Sequence, residues 1–239
     1  MKKGLLSILF FAFAITGFTS EQPDHSIWDR FLGEYVSSGG TVNYKGMKLK
    51  MDTLDSYLLE LKNHAPASDW TKNEKMAYYI NAYNAYTVKF VLTKMPVESV
   101  KNISFSGKDI WNFKYVVLGT TTYTLSQVEN DILRKMDDPR IHFAINCASY
   151  SCPKLLNKAY MPDKLNSQLT AATKAYINDT KHNIIAEKKI QLSEIFSWYA
   201  TDFVSDTQTL VQFLNLYSSV TIAATAKVEY LPYNWDLND

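Results

Sequence analysis

The chain has 239 residues, a formal charge of +1, and 46% apolar residues, among them sixteen tyrosines and five tryptophans. That length and apolar content suit one domain with a sizeable core. The near-neutral balance of interspersed signs excludes the basic footprint of a nucleic-acid binder. The aromatic excess reads first as core, and second as a surface on which a carbohydrate can stack.

Met1-Lys2-Lys3, an apolar run from Leu5 to Ile15 and a small, polar exit at Thr16 to Ser20 have the form of a secretory signal peptide of bacterial style. Residues 1–20 are therefore expected to be the signal and residues 21–239 one exported domain, periplasmic or secreted; a retained anchor is the other reading of this stretch. Without Lys2 and Lys3 the charge falls by two, to −1. No later segment offers the about 20 apolar residues that a membrane-spanning helix needs.

Ile27, Trp28, Phe31, Leu32 and Tyr35 recur at helical spacing up to Gly39-Gly40, and Thr41 to Tyr44 alternates like a short strand. Met51, Leu54, Leu58 and Leu61 mark a second amphipathic helix. Thr71-Lys72-Asn73-Glu74 is a capping box, in which hydroxyl and carboxylate each satisfy an orphan backbone N–H. It opens the longest helix, to about Lys94. Asn81 and Asn84 interrupt its middle, and Asn84 shares a stripe with Ile80, Val88 and Val91. Such an amide is either a buried clamp on a neighbouring loop or part of a ligand-lining wall.

A hairpin is expected with its turn at Gly119. Thr124-Leu125-Ser126-Gln127 is a second capping box, opening a helix that carries Glu129. "RIHFAIN" (Arg140 to Asn146) alternates as a strand, and Pro153 suits the first position of a helix. Pro162 opens a further helix with Leu165, Leu169, Ala172 and Tyr176. Ile184 to Leu192 reads as a hairpin, helices follow around Ile195 and Leu210, and a strand lies near Val228. Many helices with strands in hairpins predict an α+β fold: one globular domain with helices packed on a mainly antiparallel sheet. No dinucleotide or P-loop fingerprint occurs, so no nucleotide cofactor is expected.

Both cysteines fall within "HFAINCASYSCPKL" (His142 to Leu155). Parity along a strand sets His142 and Cys147 on opposite faces, whereas Cys152 at a helix start would have its thiolate favoured. On spacing alone Cys152 is the better nucleophile, Cys147 the other candidate, and His142 the base. Glu129 is positioned to accept from the imidazole, and Asn146 to stabilise an oxyanion. Export favours the opposite outcome, a Cys147–Cys152 disulfide, which would stabilise a domain by about 2 kcal/mol. His142, Cys147 and Cys152 match no usual zinc spacing, so no metal is expected.

Five stretches together resemble a known family. "INAYNAY" (Ile80 to Tyr86), "TLSQVENDILR" (Thr124 to Arg134), "DPRIHFAINCASYSCPKL" (Asp138 to Leu155), "FSWYATDF" (Phe196 to Phe203) and "YLPYNWDLN" (Tyr230 to Asn238) are similar to domain-of-unknown-function family 547. The resemblance implies that Asn81, Asn84, Glu129, Arg134, His142, Asn146, Cys147, Ser149, Cys152, Trp198, Asp202 and Trp235 are characteristic positions. Asn130 departs from the family pattern, which has histidine there. A looser similarity in element order links the chain to papain- and transglutaminase-like hydrolases, although the long helix carries no cysteine.

Two functional expectations stand side by side. One is an exported cysteine-type amide hydrolase or acyl transferase. The other is a non-catalytic module closed by the disulfide, with Asn81, Asn84, Arg134, Trp198, Tyr233 and Trp235 facing a peptide, glycan or envelope partner.

Overall fold

The computed structural model describes residues 20–239, and the expected signal peptide lies outside the described residues except for Ser20. At its centre is the helix Lys72–Lys94. Thr71 and Glu74 close the expected capping box, and Glu74 Oε2 accepts from the Thr71 N–H at 2.6 Å. Fifteen of its residues are buried, on every side. Such a helix is the axis of a core and is not an amphipathic cover. Helices Ser26–Tyr35, Tyr44–Lys48 and Met51–Asn63 pack around it, with the hairpin Val116–Leu118/Thr121–Tyr123. Gly119 turns that hairpin at φ +61°, which a glycine adopts without strain.

A second, smaller core is built from Phe143, Tyr176, Phe196, Phe203 and Phe213. Over it lie the helix Leu165–Ile177 and a three-stranded sheet. In that sheet Lys189–Ser193 pairs antiparallel with Ile184–Ile185 and parallel with Lys227–Leu231. The fold is α+β, with small, mostly antiparallel sheets. Among the described residues no helix is long and apolar enough to cross a membrane.

Three expectations are corrected. Thr41 to Tyr44 makes only the single bridge Val36–Val42, because Asn43 caps the helix Tyr44–Lys48 by accepting from the Gly46 N–H. "RIHFAIN" is not a strand: Pro139–Phe143 is a 3₁₀-helix started by Asp138, which accepts from the Arg140 N–H. Ile141 to Asn146 are buried without a break, so their alternation marks no face. Pro153 starts no helix either; the chain stays irregular until Leu165, and Cys152 is therefore not a helix cap.

The irregular strip is held by the two asparagines of the central helix. Asn81 donates to the Tyr160 carbonyl and accepts from the Tyr160 N–H, at 2.8 and 2.9 Å. Asn84 does the same across two residues, donating to the Ala144 carbonyl at 3.0 Å and accepting from the Asn146 N–H at 2.8 Å. Both amides are clamps, and the ligand-lining role expected for them is not where the structure puts them. Truncating Asn84 strands two buried backbone groups, at about 1–3 kcal/mol each. Asn84→Ala is expected to lower stability in urea denaturation by about 3 kcal/mol. A loss under about 1 kcal/mol would show that water replaces the amide.

Candidate functional site

Between the two cores lies a pocket of about 240 Å³, walled by Tyr83, Glu129, His142, Cys147, Tyr199 and Tyr233, with Cys152 and three tryptophans completing it. Its parts arrive from the central helix, the segment after the second capping box, the cysteine segment, the helix pair at residues 195–203 and the tail after Leu231.

Thr124 and Gln127 form their capping box, but the helix passes at once into a π-helical turn, Val128–Leu133. Such turns are frequent at functional sites. Here the turn carries Glu129 into the core, where its carboxylate accepts from the Tyr83 hydroxyl at 3.3 Å and lies beside Tyr199 in the pocket wall. Burial, with Glu129 next to it, pushes the Tyr199 phenol up, so that it stays a donor.

Glu129 does not orient His142. That carboxylate is Asp202, which takes the His142 Nε2 at 2.8 Å and the Arg134 guanidinium at 2.6 and 2.7 Å. Burial opposes charge on Asp202, yet the hydrogen bonds from Arg134 and His142 prevail and hold its carboxyl well below the usual range. An ionised carboxylate only accepts, which places a proton on Nε2 and leaves Nδ1 without a hydrogen-bond partner among the described residues. The imidazole is pinned from its face as well, stacked 4.0 Å from the Tyr199 ring. Arg134 also donates to Asn130, which stands where the family pattern has histidine, and lies over Tyr199. Arg134 thus positions the acid and does not line the pocket.

The two thiols differ. Cys147 is half-buried at the pocket wall, and Cys152 is buried behind it; both are free. Ala148, at φ +66°, turns the chain so that the Cys147 N–H donates to the Cys152 sulfur at 3.0 Å. The Cys147 thiol is brought down to about 7, first by its hydrogen bond with Cys152 and further by Ser149 and Tyr233, against the opposing push of burial. Their hydroxyls lie 3.0 and 3.4 Å from its sulfur. Cys152 is pushed well up by burial and by the charge of its neighbour. The nucleophile preference read from spacing is reversed. Cys147 is the more readily ionised thiol, because the helix start assigned to Cys152 does not exist and burial raises Cys152. Among the described residues no hydrogen bond joins either sulfur to His142.

Asn146 is no oxyanion donor. Its amide, buried, donates to the Pro153 carbonyl at 2.7 Å and accepts from the Ala148 N–H, so it shapes the turn. Trp198, Tyr233 and Trp235 do line the pocket, and Trp198, 48% exposed, stacks on Trp235 at its mouth. Tyr83 and Tyr199 lie within stretches that carry the family resemblance but were not singled out there, and Trp111 was hinted at only by the aromatic richness of the chain. No group of three His, Cys, Asp or Glu side chains that could hold a metal ion forms among the described residues.

A single α+β domain thus brings a half-buried thiol, a carboxylate-held imidazole and an aromatic mouth together at one pocket. Residues 67–177 match the family described as "Protein of unknown function, DUF547", which supports the resemblance read from the sequence over that stretch. The match takes in Glu129, His142 and both cysteines; Trp198, Asp202, Tyr233 and Trp235 lie beyond it, so it is narrower than the resemblance read from the sequence. Comparisons with curated proteins and with solved structures give no match.

Asp202, whose carboxyl is depressed in the fold, contributes stability that is complete above its ordinary value of 3.8 and is lost as pH falls below it. The stability gap between wild type and Asp202→Asn is therefore expected to close between about pH 5 and about pH 2 in urea titrations. A gap constant over that range would remove the ion pair as its source.

Proposed function

We propose that this is an exported cysteine-type acyl transferase or amide hydrolase, acting on peptide or peptidoglycan-like amides, with Cys147 as the attacking sulfur. The observation that carries the reading is the Cys147 thiol itself: brought down to about 7, partly exposed, and set in the same pocket as a tautomer-fixed imidazole. A thiol so placed is about half ionised at neutral pH and needs no base to begin.

The sulfur adds to the substrate carbonyl carbon, and the amide nitrogen must leave with a proton. His142 supplies it in its protonated form, charged against Asp202 and aimed by that same bond. His142 and Cys147 line the same pocket, in which the substrate amide would lie. Water then enters on the acyl-sulfur bond, with Nδ1 taking its proton, and the thiolate is released. Tyr233 and Ser149 hold that thiolate through their hydroxyls. The tryptophan mouth suits a flat or sugar-bearing group next to the cleaved amide. Export is supported by the form of residues 1–20.

Iodoacetamide should alkylate Cys147 with a rate that rises through a midpoint near pH 7 and should spare Cys152 in the native protein. Preferential labelling of Cys152, or none of either, would sink the reading. With an activated ester, Cys147→Ala is expected to abolish acylation of the pocket. His142→Ala should slow turnover of the acyl-enzyme by about 10²–10⁴-fold while leaving alkylation of Cys147 close to wild type.

A further inference from the structure

Acyl transfer at Cys147 makes no covalent use of Cys152, yet the fold holds a left-handed alanine in place to keep the two sulfurs together. An αL conformation at a non-glycine residue is strained and persists only where the surroundings impose it. Here the surroundings are specific. The Ala148 N–H is tied to the Asn146 side chain, and the Cys152 N–H to the Ser149 carbonyl at 3.1 Å, so residues 146–152 close on themselves. Within that loop the Cys152 sulfur lies 3.0 Å from the Cys147 N–H, with the Cys147 sulfur at the pocket wall, the Cys152 sulfur behind it and the Tyr233 hydroxyl 3.4 Å from the outer one. The N–H that Cys147 directs at the Cys152 sulfur is placed to receive negative charge there.

We propose that Cys147 and Cys152 form a redox-active pair in which Cys147 attacks a low-molecular-weight disulfide and Cys152 resolves the product. In the first step the Cys147 thiolate bonds one sulfur of the disulfide R–S–S–R, and the other departs as RS⁻ and takes a proton from water. In the second, Cys152 gives its proton to solvent and attacks the Cys147 sulfur, forming the internal disulfide and expelling the second RS⁻, which is protonated in turn. The two cysteines are oxidised by two electrons and the small disulfide is reduced to two thiols. In reverse, a thiol attacking Cys147 releases Cys152 as a thiolate onto the waiting Cys147 N–H.

The internal bond takes away the sulfur that acyl transfer needs. In an oxidising exterior the site would then be silent until a thiol reductant reaches the pocket. This pairing needs only the two sulfurs and does not rest on the acyl-transfer reading.

The test uses the reduced full chain, oxidised glutathione as the disulfide, and intact mass with peptide mapping after acid quenching. Wild type is expected to lose two hydrogens without retaining glutathione, and to show Cys147 joined to Cys152. Cys152→Ser should retain one glutathione on Cys147, and Cys147→Ser should react at least about tenfold more slowly, its remaining thiol being buried. Dithiothreitol should restore iodoacetamide labelling of oxidised wild type. A stable glutathione adduct on wild-type Cys147, with no internal bond, would overturn the pair. So would a lack of any reaction under conditions where iodoacetamide still labels Cys147, and that result would leave acyl transfer standing. Internal closure without acylation by the activated ester supports the pair and removes the hydrolase instead. The wild-type measurement needs no substitution, so a misfolded variant does not spare the idea.

Discussion

Two hydrogen bonds from one buried amide, that of Asn84, decide where the reactive strip of chain can lie. The segment from Ala144 to Asn146 follows a short 3₁₀-helix and is neither helix nor strand, so no ladder satisfies its backbone. A buried carbonyl and N–H without partners are costly, and the central helix supplies both partners from a single side chain. With those two points fixed, Asn146 can tie the following turn, Ala148 can reverse the chain, and the Cys147 sulfur arrives at the pocket. Asn81 repeats the device farther along, at Tyr160. The asparagines that weaken a helix by intrinsic preference are thus what orders the loops against it.

The charges follow a similar economy. A single carboxylate, Asp202, binds the guanidinium through two contacts and the imidazole through one. Removing water from three ionisable groups is unfavourable unless each is compensated. Arg134 neutralises the acid while the acid fixes the ring, so the imidazole is oriented without carrying the whole desolvation cost of its partner. Glu129, the buried acid of the pocket wall, is held by the Tyr83 hydroxyl and, among the described residues, not by a cation.

Local signals were readable and distant ones were not. Capping boxes at Thr71 and Thr124, the Gly119 turn and the hairpin at Ile184 to Leu192 involve partners within a few residues, and each is found as expected. The alternation of "RIHFAIN" misled because period two marks a strand only if one face meets water, and here neither does. Pro153 permits a helix start without causing one. Family likeness brought Asp202 into view, but its partnership with His142 spans 60 positions and is a property of packing. Spacing between the cysteines likewise carried no sign of which is ionised; Tyr233, 86 positions away, is one of the groups that decides it.

Tyr233 and Trp235 stand on a tail that is bonded along the cysteine loop, with the Tyr150 N–H on the Asp236 carbonyl and the Ser151 N–H on the Asn234 carbonyl. The reactive wall is therefore completed by a stretch far from the cysteines in sequence. Undocking that tail would take a hydroxyl from the Cys147 sulfur and open the mouth of the pocket, so the ionisation of the thiol reports on the docking of a distant segment.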